Sequence, residues 1–168
     1  MQTWDTIVRE HAANVFGAAL RVLGNRADAE DVSQEVFVEA FRKFRLRDDH
    51  VWGGLLKSIA VRRAIDLLRK GRRLEKIETL HEAVGDPSGV DPASRLIASE
   101  LEERLRESLR ELPPVQAEIF CLVFFEKMSH DEIAGQTGRS KNAVAAALSK
   151  ARRHLEKSFR KTVSGDHR

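Results

Sequence analysis

Apolar residues recur three and four positions apart along almost the whole chain, the spacing that lets a helix bury one face. Ile7/Val8, His11/Ala12, Val15/Phe16, Ala19 and Val22/Leu23 form a first stripe, which Gly24 ends. Asn25, with Asp28 three positions on, has the chemistry of a helix cap followed by an acidic first turn. Val32, Val36, Ala40 and Phe44 mark a second stripe. Trp52, Leu55, Leu56, Ile59, Ala60, Ala64, Leu67 and Leu68 mark a third. Strand signals are nearly absent: there is no tyrosine and no extended alternating run between hairpin turns. The pattern predicts an all-α fold.

The periodicity fades from about Arg73 to Pro92, where Gly85, Asp86, Pro87, Ser88, Gly89, Asp91 and Pro92 read as a linker. Helical spacing returns at Ile97, Leu101, Leu105, Ser108 and Leu112. Pro113-Pro114 ends that helix and opens another, carrying Val115, Ile119, Leu122 and Val123. A chain of 168 residues divided in this way makes two small helical domains with modest cores, part of whose stability a partner could supply. The single cysteine, Cys121, lies in the apolar run Ile119–Phe125 and reads as a small buried hydrophobe, not a nucleophile; alone, it forms neither an internal disulfide nor a multi-cysteine zinc site. No apolar run approaches the length of a membrane span, and no signal-peptide pattern is present, so a cytoplasmic chain without membrane insertion is expected.

The net charge of +3 hides a pattern. Residues 1–51 hold seven Lys/Arg against nine Asp/Glu, and residues 52–73 hold seven against one. Residues 74–112 hold five against ten, and residues 113–168 hold ten against six. Two basic blocks separated by an acidic one suggest two contacts with a polyanion. Solvated charged faces would account for either block alone, but less well for both.

The second basic block contains a motif. Ser129 with Glu132 makes a capping box at the start of a short helix, Gly138 stands where a tight turn wants positive φ, and Ser140 can cap the next helix. With Ala134 at the crossing and Val144 as apolar anchor, this is the layout of a helix-turn-helix, which presents the start of its second helix to the major groove. A purely structural helical pair is the alternative, and the basic tail counts against it. In the N-terminal half, Asp28-Ala29-Glu30-Asp31-Val32-Ser33-Gln34-Glu35 places acids on a helix whose other side is apolar. Such acids usually complement the helix dipole. A hydrolase using Asp28, Glu30, Asp31 and Glu35 around a metal is a distant alternative, because no histidine falls at ligand spacing with them and no glycine-rich loop or nucleophile elbow is present.

Taken in order, Asp28 to Phe37, Leu55 to Arg73, Leu112-Pro113-Pro114 and the helix-turn-helix resemble the extracytoplasmic-function sigma factors of bacteria, the group-four branch of the sigma-70 superfamily. The resemblance implies two small helical domains joined by a linker. Residues 1–75 would be similar to sigma domain two, a three- to four-helix bundle; residues 76–92 to the linker; residues 93–163 to sigma domain four, a helix-turn-helix bundle; residues 164–168 would be a tail. It implies a promoter-specificity subunit, not an enzyme, with no cofactor, no metal site and no catalytic residue. The partners implied are core RNA polymerase, promoter DNA and an anti-sigma factor. Asp28, Asp31, Gln34 and Glu35 match the polymerase-docking positions, where opposite charge would steer association. Lys57, Arg62, Arg63, Arg69, Lys70, Arg72 and Arg73 match the helix that captures the minus-ten element. Arg139, Ser140, Lys141, Asn142, Ser149, Lys150, Arg152 and Arg153 match the reader of the minus-thirty-five element, the first few toward base edges and the last toward phosphates. On the basic helix Asp66 is expected to pair with Arg62, Arg69 or Lys70, and Trp52 to pack in the core. Ala145-Ala146-Ala147 replace basic residues common in the family, which implies contact with thymine methyls or a different preferred sequence. Arg62 and Leu55 replace a common asparagine and tryptophan, which alters the details of minus-ten readout. The alternative function is a stand-alone helix-turn-helix regulator of duplex DNA, its N-terminal half serving for dimerisation or sensing.

Overall fold

The computed structural model describes residues 2–45, 51–71 and 91–165. Among them are seven helices and no strand: α1 (Trp4–Leu23), α2 (Arg26–Phe44), α3 (Trp52–Lys70), α4 (Pro92–Glu111), α5 (Pro114–Phe124), α6 (His130–Thr137) and α7 (Lys141–Gly165). The boundaries follow local chemistry. Gly24 takes a left-handed φ of 66° and returns its N–H to the Leu20 carbonyl, which stops α1. Asn25 Oδ1 accepts the Asp28 N–H at 3.0 Å and starts α2. Leu112 is extended before the two prolines, so α4 ends and α5 begins across two residues, Leu112 and Pro113.

α1, α2 and α3 close around Val15, Ala18, Ala19, Val32, Val36, Ala40, Leu56 and Ala60, with Trp4 edge-on to Trp52 at 5.6 Å. Trp52 is buried there, as its place on the stripe predicts. A second core joins α4 to α7 through Leu109, Leu112, Ile119, Leu122, Ile133, Val144, Leu148 and Leu155. Cys121 is buried in it, and burial pushes its thiol pKa well above the usual range.

The second core does not stop at the C-terminal half. Val22 of α1 and Val61, Ala64, Ile65 and Leu68 of α3 belong to it as well, so the two halves share apolar packing. α3 therefore buries two faces: one toward α1 and α2, the other toward α5 and α6. The predicted apolar stripe of α4 is covered only along its second half. Ser108 and Leu112 are buried and Leu105 partly so, whereas Leu96, Ile97 and Leu101 remain exposed.

Candidate nucleic-acid interface

The helix-turn-helix is assembled as its residues dictate. Ser129 Oγ accepts the Glu132 N–H at 3.1 Å and Glu132 Oε2 accepts the Ser129 N–H at 2.8 Å, closing a reciprocal capping box on α6. Gly138 turns the chain at φ 69° and Ser140 Oγ accepts the Ala143 N–H at 3.1 Å, starting α7. Ile133, Val144, Leu148 and Ala151 are buried beneath this unit. Lys141, Asn142, Ser149, Lys150, Arg152 and Arg153 are consequently on the outside, with Ala145 and Ala146 exposed among them. Lys141 pairs with Asp131 at 3.2 Å, and the Arg152 guanidinium lies 5.0 Å from the centre of the Phe124 ring of α5. Ser140 is exposed in the turn, but Arg139 is only partly so; it faces Glu118 of α5.

On the N-terminal half, Asp31, Gln34 and Glu35 are exposed and Asp28 partly so, along one side of α2. Spacings of three and four place them on a common face, which continues to Val38. Val38, 48% exposed, is a large apolar side chain amid these polar ones, and sequence reasoning passed over it. The signal was available: it follows Glu35 by three residues and Gln34 by four.

The cations of α3 are more engaged than the sequence suggests. Glu39 of α2 is buried, yet its carboxylate takes 2.6 Å hydrogen bonds from Arg62 and Arg63 and a 2.9 Å bond from Lys43. Burial alone would raise its pKa; the three cationic donors outweigh it and hold the carboxyl at about 2. Arg63 also bonds Glu35 at 2.8 Å, so a residue matched to polymerase docking and one matched to DNA capture are tied to each other. Arg69 donates to the Leu112 carbonyl. Lys57 is partly exposed and Lys70 exposed, and neither has an ion-pair or hydrogen-bond partner among the described residues. Asp66 forms no ion pair there either; Arg62 turns to Glu39 instead, and Asp66 faces Glu118. Arg72 and Arg73, most of the loop after Arg45 and most of the predicted linker lie outside the described residues. Glu39 was missed because it falls beside the apolar positions Val36 and Ala40, on a stripe read for its hydrophobic members.

No three Asp, Glu, His or Cys side chains gather in a metal-binding group among the described residues, and no described helix is long and apolar enough to cross a membrane. The arrangement offers a cation-bearing helix, an acidic face on its neighbour, and a second cationic surface on a capped helix-turn-helix.

Comparison with known proteins agrees with this layout. Residues 7–74 match the family described as sigma-70 region 2, and residues 102–155 match sigma-70 region 4. The chain is 31% identical over 157 residues to the ECF RNA polymerase sigma factor SigE of Mycolicibacterium smegmatis, aligning 92% of this chain with 61% of that one. It therefore spans less than two thirds of that relative's length. It is 29% identical over 148 residues to the RNA polymerase sigma factor SigV of Bacillus subtilis, covering 87% of this chain and 84% of the relative. Among solved structures, it resembles CnrH in complex with the cytosolic domain of CnrY, with a TM-score of 0.60 at 22% identity over 94% of this chain and 88% of that one. It also resembles the sigma factor RpoE of Bartonella quintana in complex with the anti-sigma factor NepR, with a TM-score of 0.58 at 18% identity over 91% and 94%. These two likenesses speak to the fold.

Proposed function

Because the chain belongs to the sigma-70 family, with regions 2 and 4 in that order, we propose that it directs bacterial core RNA polymerase to specific promoters as an extracytoplasmic-function sigma factor. In this reading the polymerase supplies the catalysis, and the chain supplies recognition and strand capture in the cytoplasm. The observation that carries it is the joining of an acidic exposed face on α2 to a cation-bearing α3, followed by a capped helix-turn-helix.

The Asp28, Asp31, Gln34, Glu35 face, with Val38 at its C-terminal end, docks a basic surface of the polymerase: charge sets rate and orientation, and Val38 gives a desolvated contact. Lys57 and Lys70 are poised for the opened minus-ten strand, with Arg62, Arg63 and Arg69 on the same helix and Arg72 and Arg73 following in the sequence. Asn142 and Ser149 reach base edges at the minus-thirty-five element, with Arg139, Ser140 and Lys141 near the same groove entrance, and Lys150, Arg152 and Arg153 meet phosphates. An anti-sigma factor covering one or both of these surfaces would hold the chain inactive.

The test is assembly. Purified protein incubated with bacterial core RNA polymerase should form an isolable complex that produces specific transcripts from a genomic fragment library. Asp31→Lys should abolish both the complex and the transcripts. Failure to bind any core enzyme, together with specific binding to duplex DNA alone, would replace this reading with a stand-alone regulator.

A further inference from the structure

Between α5 and α6 the chain turns through Phe125, Glu126, Lys127 and Met128. Among the described residues Lys127 is the one non-glycine residue with a positive φ, at 55°. The other two such positions, at 66° and 69°, are Gly24 and Gly138. A side chain at such a φ crowds the following carbonyl, which is why glycine is the ordinary occupant. The neighbours fix this backbone. Glu126 is buried and bonded to Arg21 at 2.9 Å. Met128 is buried in the C-terminal core, and its N–H donates to the Leu122 carbonyl at 3.0 Å. The residue held between them is exposed, and the Lys127 side chain has no ion pair or hydrogen bond among the described residues. The fold therefore demands the left-handed backbone here and makes no use of the ammonium group.

The position of the turn says what the charge is for. Asp131 at the start of α6 pairs with Lys141 at the start of α7, the ammonium lying 3.2 and 3.3 Å from the two carboxylate oxygens. The two helix starts are thus side by side. A helix-turn-helix enters the major groove with the start of its second helix, while its first helix crosses the sugar-phosphate backbone. Lys127, two residues before the Ser129 cap of α6, stands at that crossing edge. The edge is otherwise acidic, since Asp131 and Glu132 are both exposed. Lys141 neutralises Asp131, whereas Glu132 bonds the Ser129 N–H and has no cation partner among the described residues. A phosphate passing there needs a further cation. We propose that Lys127 is that cation, a phosphate contact on the flank of the duplex that α7 reads, kept at a left-handed position in spite of the backbone strain. The contact is blind to sequence, because it meets a phosphate and not a base edge. It rests on the promoter-binding reading above and adds to it a binding residue that lies outside both helices of the helix-turn-helix.

The experiment reads duplex binding and stability together. The full chain is titrated against a fluorescent random-sequence duplex of about 30 base pairs, from about 50 to about 200 mM salt, with thermal unfolding alongside. Lys127→Asn removes the charge and tolerates the left-handed backbone, Lys127→Gly removes both charge and strain, and Lys127→Arg keeps both. The Asn and Gly variants should each bind about fivefold more weakly, with the slope of log affinity against log salt shallower by about 0.9; the Arg variant should match wild type. Lys127→Gly should at the same time raise the unfolding midpoint by about 2–4 °C. Weaker binding by a more stable protein separates a lost contact from a folding defect. Arg9→Gln removes the same unit of charge from the exposed side of α1 and should leave the slope unchanged. Assembled with core polymerase, Lys127→Asn should give the wild-type set of transcripts from a genomic fragment library, at lower yield. A slope unchanged in the Asn and Gly variants, or lowered equally by Arg9→Gln, overturns the phosphate contact. A changed set of transcripts overturns its blindness to sequence. Weakened assembly with core polymerase at unchanged duplex affinity overturns the contact as well and assigns Lys127 to an acidic protein surface. A midpoint that does not rise in Lys127→Gly overturns the strain. Absence of duplex binding and of transcripts from every form, wild type included, overturns the promoter-binding reading instead.

Discussion

Glu39 carries the most electrostatic weight of any single residue in the N-terminal half. Three cations converge on one buried carboxylate, and the ion pairs run across two helices, so the contact joins α2 to α3 as well as satisfying a charge. Its pKa of about 2 lies below the ordinary 4.5, so it stabilises the fold fully above pH 4.5 and less as the pH falls toward 2. Water reaches Arg62 and Lys43, which discounts the pair to about 2 kcal/mol at neutral pH. Glu39→Gln should therefore lose about 2 kcal/mol in urea unfolding at pH 7, and the gap to wild type should narrow steadily below pH 4.5. A gap that stays constant over that range would mean that packing, not charge, sets the cost. The residue was legible only in part. A basic α3 and an acidic α2 are plain in the sequence, but which acid faces which base depends on the rotation of two helices about their axes. Composition carries no information on that. Glu39 sits on the covered side and is paired; Asp31 sits on the open side and has no ion pair among the described residues.

Helix ends were the most readable elements, because a cap is chemistry between residues three or four apart. Gly24, Asn25, Ser129 with Glu132, Gly138 and Ser140 all act where the sequence places them. The same locality gives sharp expectations for the helix-turn-helix. Ser129→Ala removes one side of the capping box and should cost about 1 kcal/mol in thermal unfolding. Gly138→Ala has open space for its methyl but forces an alanine to φ 69°, a cost of about 1–2 kcal/mol that is purely backbone. Because Gly138 sets the angle between α6 and α7, its substitution should also weaken binding to minus-thirty-five duplex in a mobility-shift assay, whereas Ser129→Ala should affect stability more than affinity. Equal losses of affinity in both would assign the effect to global unfolding. What the local patterns could not give was the second face of α3. Val61 and Ile65, four apart, stand outside its main apolar stripe and next to its arginines. That pair was the trace of a long-range contact with α5 and α6, visible in the sequence but without an address.

At the scale of the molecule, the halves meet over a buried titratable group, and this makes closure respond to pH. Burial raises the Glu118 pKa above its ordinary 4.5; Arg139 and Arg62 pull it down, Asp66 pushes it up, and burial prevails. Opening would return the carboxyl to water, where its pKa falls back. The closed form thus binds the proton more tightly than the open form. By linkage, closure is favoured most below pH 4.5 and loses ground as the pH rises through the raised value. The ion pair of Arg21 in α1 with the buried Glu126 just past α5, at 2.9 Å, works against this drift, so the halves are held together by that pair and pushed apart by the ionised Glu118. Replacing the carboxyl with a neutral amide should shift the balance: Glu118→Gln, spin-labelled at the exposed positions 30 and 156 and read by pulsed electron resonance, should be more closed than wild type above the raised value and should lose the pH dependence this carboxyl confers. Wild type should open as the pH rises from 4.5 through the raised Glu118 value. If the wild-type separations do not change with pH, Glu118 is not coupled to the motion, and the apolar contact of Val61, Ile65 and Leu68 with the C-terminal core alone governs how the halves part.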